Sequence, residues 1–217
     1  MSDFGTMRSR IAREMKRGEL TAAGDEIRDA ILSAIKHMEN RRFTWNEFLD
    51  TTVTASASTA YMNFSDFSVR PIIVDSIKVR ISNRDYPLIR KGWSELEAID
   101  AGQWSGYPDW YAIHSRRIRL YPIPQANYPL VMSGVRDLTE ISLSASNSAT
   151  NDWMTDGEEL IRMTAKAMLF RDELRAPELS GQFMMESERV MRELQRETSA
   201  QVSSGRVRPR FMGCLYP

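Results

Sequence analysis

The chain has 217 residues, enough for one domain with a sizeable core, and balances 29 basic against 29 acidic residues, which gives no global reason to expect a polyanion partner or an anionic membrane surface. The single cysteine, Cys214, excludes an internal disulfide framework and a cysteine-based metal cluster. No apolar run nears the roughly 20 residues that a membrane-spanning helix needs, and the opening MSDFGTMRSRIAREMKRGEL lacks the apolar stretch of a signal peptide, so a soluble, non-exported chain is expected.

Met7, Ile11 and Met15 mark one face of a short charged helix over 7–19. A second helix is expected over 25–48, because Ile27, Ile31, Ile35 and Met38 form a stripe that extends to Trp45 and Phe48. The segment TTVTASAST is small and β-branched, which favours strand and loop. Ile72 to Ile81 reads as a strand, with Ile77, Val79 and Ile81 on one side and Lys78 and Arg80 on the other. Ser94 and Glu97 have capping-box spacing, which predicts a helix over 95–101.

From Tyr107 to Met132 the chain is rich in tyrosine and proline and alternates at period two. Tyr111 with Ile113, and Ile118 with Leu120, predict two strands with one buried and one wet face, turning at Ser115-Arg116. Pro122 and Pro124 end the second strand because proline donates no ladder hydrogen bond. A third strand starts at Tyr128 and places strands within 110–136, as others fall within 50–81.

After Leu143 the polar SASNSATND predicts a flexible or partner-facing loop. Thr155 and Glu158 then repeat the capping-box spacing before a helix over 156–175, with Leu160, Met163, Ala167, Phe170 and Leu174 on one face. Pro177 opens a last helix over 177–197, antiparallel to it, with Phe183, Val190, Met191 and Leu194 inward. The expected fold class is α+β: a bundle of N-terminal and C-terminal helices, a small central antiparallel sheet, one domain over 1–197, and an extended arm over 198–217.

Catalytic chemistry finds little support. His37 sits beside an apolar stripe and His114 at a strand end, and Cys214 lies where nothing preorganises it. The acidic cluster of Asp152, Asp156, Glu158 and Glu159 lacks calcium-loop spacing and suits a helix N-terminus. Phosphate-loop, dinucleotide, nucleophile-elbow and zinc-protease motifs do not occur. No enzyme activity, cofactor or metal is expected.

The last twenty residues hold three arginines and no acidic residue, and Arg206, Arg208 and Arg210 alternate, so an extended chain would project them to one side. Phe211, Met212, Cys214, Leu215 and Tyr216 follow. A purely solubilising tail has no need of such apolar residues, whereas an arm docking on another subunit does.

In their order these features resemble the head-to-tail adaptor (portal-binding connector, or head-completion) proteins of tailed bacteriophages. The likeness is carried by Arg41-Arg42-Phe43-Thr44-Trp45, Tyr107-Pro108, Tyr111-Ala112-Ile113, the Ile118-x-Leu120-Tyr121-Pro122-x-Pro124 strand end, Tyr128-Pro129-Leu130, and Asn151-Asp152-Trp153 before a long helix. Similar proteins commonly have a glycine at the Ser115-Arg116 turn and an aromatic near Gly134. The resemblance implies a structural virion protein at the head-tail interface, made in the host cytoplasm. It would form a ring, usually of twelve copies, beneath the portal, anchor there through Arg206, Arg208, Arg210, Phe211, Leu215 and Tyr216, and attach tail or nozzle proteins below. Genomic double-stranded DNA would pass through the ring without sequence-specific binding. The alternative from a different class is a DNA-binding regulator using the basic first helix, Arg8, Arg10, Arg13, Lys16 and Arg17; a small hydrolase built on His114 is the third.

Overall fold

The computed structural model describes residues 3–16, 20, 24–99, 104–138 and 147–202. It is an α+β fold with two large cores, one between helices and one between sheets.

The helical core begins with α1 (Phe4–Met15), whose first turn is capped by the Asp3 carboxylate accepting from the Thr6 N–H at 2.7 Å. Its buried face, Phe4, Met7, Ile11 and Met15, keeps the helical spacing and packs with α2 (Asp25–Met38). The second helix is shorter than its stripe suggests. It ends at Met38, and the buried Asn46 closes a local turn, accepting from the Phe43 N–H (2.8 Å) and donating to the Arg41 carbonyl (2.6 Å). That side-chain amide offers the backbone an alternative to the helical ladder. Trp45 therefore reaches the helical core from a 3-10 turn, stacked on Phe43 at 4.8 Å, while Phe48 belongs to strand β1 (Glu47–Asp50) and to the other core.

The first sheet has the order β1-β11-β4-β5, all neighbours antiparallel, with β4 at Pro71–Ile81, β5 at Arg84–Pro87 and β11 at Tyr128–Arg136. The short β2 (Thr54–Ala55), within the TTVTASAST segment, pairs with the start of β11. The second sheet runs β3-β9-β8-β6, from Tyr61–Asn63, Arg117–Tyr121, Trp110–His114 and Ile89–Arg90, with β6 parallel to β8. A parallel pair, β7 (Ser105–Gly106) and β10 (Ile123–Pro124), completes the β region. Val74, Ile77, Val79, Tyr111, Ile118, Leu120, Leu130 and Met132 fill the space between the two larger sheets.

The β8–β9 hairpin turns at Ser115 and Arg116, as the sequence indicates, with φ of 48° and 60°. Two successive left-handed residues match the right-handed twist of the strands, which is why glycine is the commoner choice there. The face expected to be wet is instead covered. Helix α3 (Trp93–Ile99) lies on it, so Ala112, Tyr121 and Leu96 form a third small core flanked by Trp93 and Trp110. Helix α3 also starts earlier than Ser94 and Glu97 suggest: the Glu95 carboxylate accepts from the Gly92 N–H (3.4 Å), while Glu97 accepts the Trp93 indole N–H (2.7 Å).

Strand β11 is longer than its first residues imply, and its register against β4 shifts between Ser133 and Gly134. A Cβ on Gly134 would lie 1.9 Å from the Ile73 carbonyl oxygen, so the position where similar proteins would be expected to have an aromatic cannot hold one here.

The helix expected from 156 is two helices. Asn151 caps α4 (Asp152–Thr155) by accepting from the Met154 N–H at 3.2 Å, and α5 (Glu158–Asp172) begins after Gly157. Gly157 is packed against Trp153, with its hypothetical Cβ 3.0 Å from the indole, so Thr155 is not the cap. Helix α5 is buried on several sides, by α1, α2 and α6, and even Lys166 is only 5% exposed. Helix α6 (Pro177–Val202) runs antiparallel to it, fixed by the Ser180 hydroxyl donating to the Ala167 carbonyl at 2.8 Å and by the Phe170–Phe183 stack. It continues through 198–202, which an arm starting at 198 would have left extended. Thr198 is buried against the bundle, its hydroxyl satisfied by the Leu194 carbonyl at 2.9 Å, so packing continues into the last turns of α6.

Candidate interaction surfaces

The residues expected to form a docking arm, Arg206, Arg208, Arg210, Phe211, Leu215 and Tyr216, lie outside the described residues, as does Cys214. What precedes them is defined: α6 is anchored along its length by Phe183, Val190, Met191 and Leu194 in the helical core.

The polar loop has its described end tied to the protein's own first helix. Phe4 and Gly5 donate their N–H groups to the Ala149 and Asn147 carbonyls at 2.9 and 2.8 Å, and Arg8 reaches the Asn147 side chain at 3.2 Å. These bonds satisfy N–H groups that the first turn of a helix leaves without intrahelical partners. From 147 onward the loop is thus tied by its backbone to α1, while Asn147, Ser148 and Thr150 stay exposed.

The basic first helix is also partly engaged. Arg8 donates to the Gly24 carbonyl at 3.1 Å, and Arg10 is paired with Glu158. Cations committed to their own fold are less free to neutralise phosphates, the main source of affinity in a DNA-binding helix. Arg17 is outside the described residues.

The acidic cluster is split up by the break between α4 and α5. Asp152 meets Arg136 at 3.4 Å and Glu158 meets Arg10, so those two carboxylates join separate elements. Among the described residues no group of three or more His, Cys, Asp or Glu could hold a metal ion. His37 is exposed in the last turn of α2, and His114 is exposed with its ring 5.3 Å from Trp93. The two histidines belong to different cores' surroundings and are not brought together.

A cleft of about 710 Å³ opens between the end of α2, the start of β4 and the β8–β9 turn. Glu39, Asp137, Arg70, Arg116 and Phe64 line it. Burial, with the nearby Asp137 charge adding to it and Lys36 opposing, pushes the Glu39 carboxyl up from its ordinary value. The lining is mixed in charge and suits a polar protein segment better than a small apolar ligand. Its residues come from distant parts of the chain, so no local motif marks it.

Several large apolar side chains face outward, among them Leu49 on the edge strand β1 (70% exposed), Met185 (66%) and Trp104 (65%). Trp104 meets Tyr121 edge-on, and Tyr121 stacks on Trp110, so the aromatic stretch ends in an exposed ring. These outward-facing side chains lie on separate elements, and apolar side chains scattered singly are ordinary for a folded surface. No helix among the described residues is long and apolar enough to cross a membrane.

No curated protein matches the chain. The SU10 adaptor protein family matches it over residues 2–210.

Proposed function

Because the chain belongs to the SU10 adaptor family and is thus a structural component of a bacteriophage virion, we propose that it is the head-to-tail adaptor: a ring of twelve copies beneath the portal, with tail or nozzle proteins attached below. The family match over nearly the whole chain carries this reading. Two features support it. The 26-residue α6 carries the chain along the bundle and then releases a segment with three arginines and no acidic residue. A net charge of zero suits a ring through which DNA slides, since few phosphate contacts persist at physiological salt.

In this reading Arg206, Arg208, Arg210, Phe211, Leu215 and Tyr216 belong to an arm that holds the ring to the portal. Removing residues 203–217 tests it, because the cut falls after Val202 and spares the buried Thr198. The truncated protein should keep the thermal midpoint of the full chain and lose portal co-sedimentation. Portal binding equal to that of the full chain overturns the arm assignment.

A further inference from the structure

We propose that the groove between the start of α2 and the end of α5 receives the basic segment Arg206–Arg210 of a second copy of this chain, an inference that builds on the ring reading. The groove encloses about 320 Å³. Ala30, Met168 and Leu169 give it an apolar floor, and Asp25, Glu26 and Asp29 on one side face Asp172 and Glu173 on the other. Arg28 bonds Asp25 and Asp29 at 2.9 and 3.1 Å, and Arg171 holds Asp172 at 2.7 Å. Glu26 and Glu173 have no ion pair among the described residues. Five carboxylates thus meet two guanidinium groups.

Ordinary helix electrostatics accounts for half of this arrangement. Asp25 and Glu26 stand in the first turn of α2, where the dipole favours acids. Asp172 and Glu173 stand at the end of α5, where the dipole disfavours them. Acids placed against the dipole and beside other acids give the groove an excess of negative charge that an incoming cationic segment would complement. The segment 203–217 offers three arginines and no acid, with Val207 and Pro209 between the arginines to meet an apolar floor.

Chain length selects a second copy over the same one. Ser180 bonds Ala167 at 2.8 Å, so the start of α6 is level with the groove. From there to Val202 the helix rises roughly 33 Å away from it. Arg210 lies eight residues past Val202, a reach of at most about 27 Å even when fully extended, and Arg206 reaches half as far. A neighbour in a head-to-tail ring removes this limit, since such contacts join different surfaces of successive copies. This divides the arm proposed above: Arg206, Arg208 and Arg210 would tie one copy to the next, and the portal contact would fall to Phe211, Leu215 and Tyr216.

The test is fluorescence anisotropy of a fluorescein-labelled peptide of residues 203–217 titrated with the full-length protein at low micromolar concentration. Saturable binding is expected, weakened by added salt and about tenfold or more by Glu26→Lys with Glu173→Lys. The control, Glu188→Lys with Glu197→Lys, makes the same charge change on the exposed face of α6 and should leave binding as it was. Both variants are checked for native circular dichroism. Absence of saturable binding to the unmodified protein, or equal weakening by both variants, overturns the proposal. Peptide binding without portal binding would sink the head-to-tail reading alone, and portal binding without peptide binding would sink the groove alone.

Discussion

Gly134→Ala is expected to destabilise the protein by about 4 kcal/mol or more, and to shift much of it to the insoluble fraction, although the same change at most glycines is mild. The reason is space. Gly134 sits where the register of β11 against β4 shifts, and an added Cβ would stand 1.9 Å from the Ile73 oxygen and 2.9 Å from its carbonyl carbon. Both are backbone atoms of the adjacent strand, so relief requires moving β4, which also pairs with β5 and carries Val74, Ile77 and Val79 into the sheet core. Gly181→Ala is the internal comparison. It lies in α6 with nothing within 4 Å of a hypothetical Cβ, and alanine there should stabilise by about 1 kcal/mol. Chemical denaturation of the two variants decides the matter. Equal and small effects would mean that the β11–β4 shift is not the constraint described.

Glu14→Gln is expected to cost about 3 kcal/mol at neutral pH, because it leaves a buried cation without its counter-charge. Glu14 of α1 pairs with Lys166 and, at 2.5 Å, with Arg162 of α5, and the Lys166 ammonium also lies 5.2 Å from the Phe183 ring of α6. One carboxylate thus joins the first helix to the bundle. Lys166→Met should cost under about 1 kcal/mol, since the buried charge disappears with its need for a partner and Arg162 still holds Glu14. Burial alone would raise the Glu14 carboxyl, but the Lys166 hydrogen bond and charge, with Arg162, outweigh it and hold the group below its ordinary value of 4.5. Stability from a depressed carboxylate is present above that ordinary value and is lost as pH falls towards the lower folded value. The gap between the unmodified protein and Glu14→Gln should therefore narrow below about pH 4.5. A gap that stays constant with pH, or a Lys166→Met cost as large as that of Glu14→Gln, contradicts this arrangement.

Where side-chain periodicity and burial coincide, the sequence was legible. Phe4 to Met15, Ile27 to Met38, Leu160 to Phe170 and Phe183 to Leu194 all bury apolar residues at helical spacing, and the β8–β9 hairpin turns at the residues that its alternation brackets. The departures share a cause, which is a single side chain overriding a pattern. Asn46 ends the helical stripe before Phe48, Asn151 and Gly157 displace the cap from Thr155, and burial of Thr198 carries α6 on where composition suggests an arm. The second face of the hairpin was readable in principle, because Trp110, Ala112 and Tyr121 are themselves apolar and need a cover, which α3 supplies. The two charged grooves were not. Their walls come from separate elements, so only Asp172 and Glu173, acids at a helix C-terminus, hint at one of them.

The central claim is that this adaptor-family protein closes a ring on the portal. Electron microscopy of the purified protein mixed with the portal protein of its own phage tests it most directly. The expected image is the portal bearing an added ring of twelve copies on its tail-facing side. Portal particles indistinguishable from those without the protein, at saturating concentration, would contradict it.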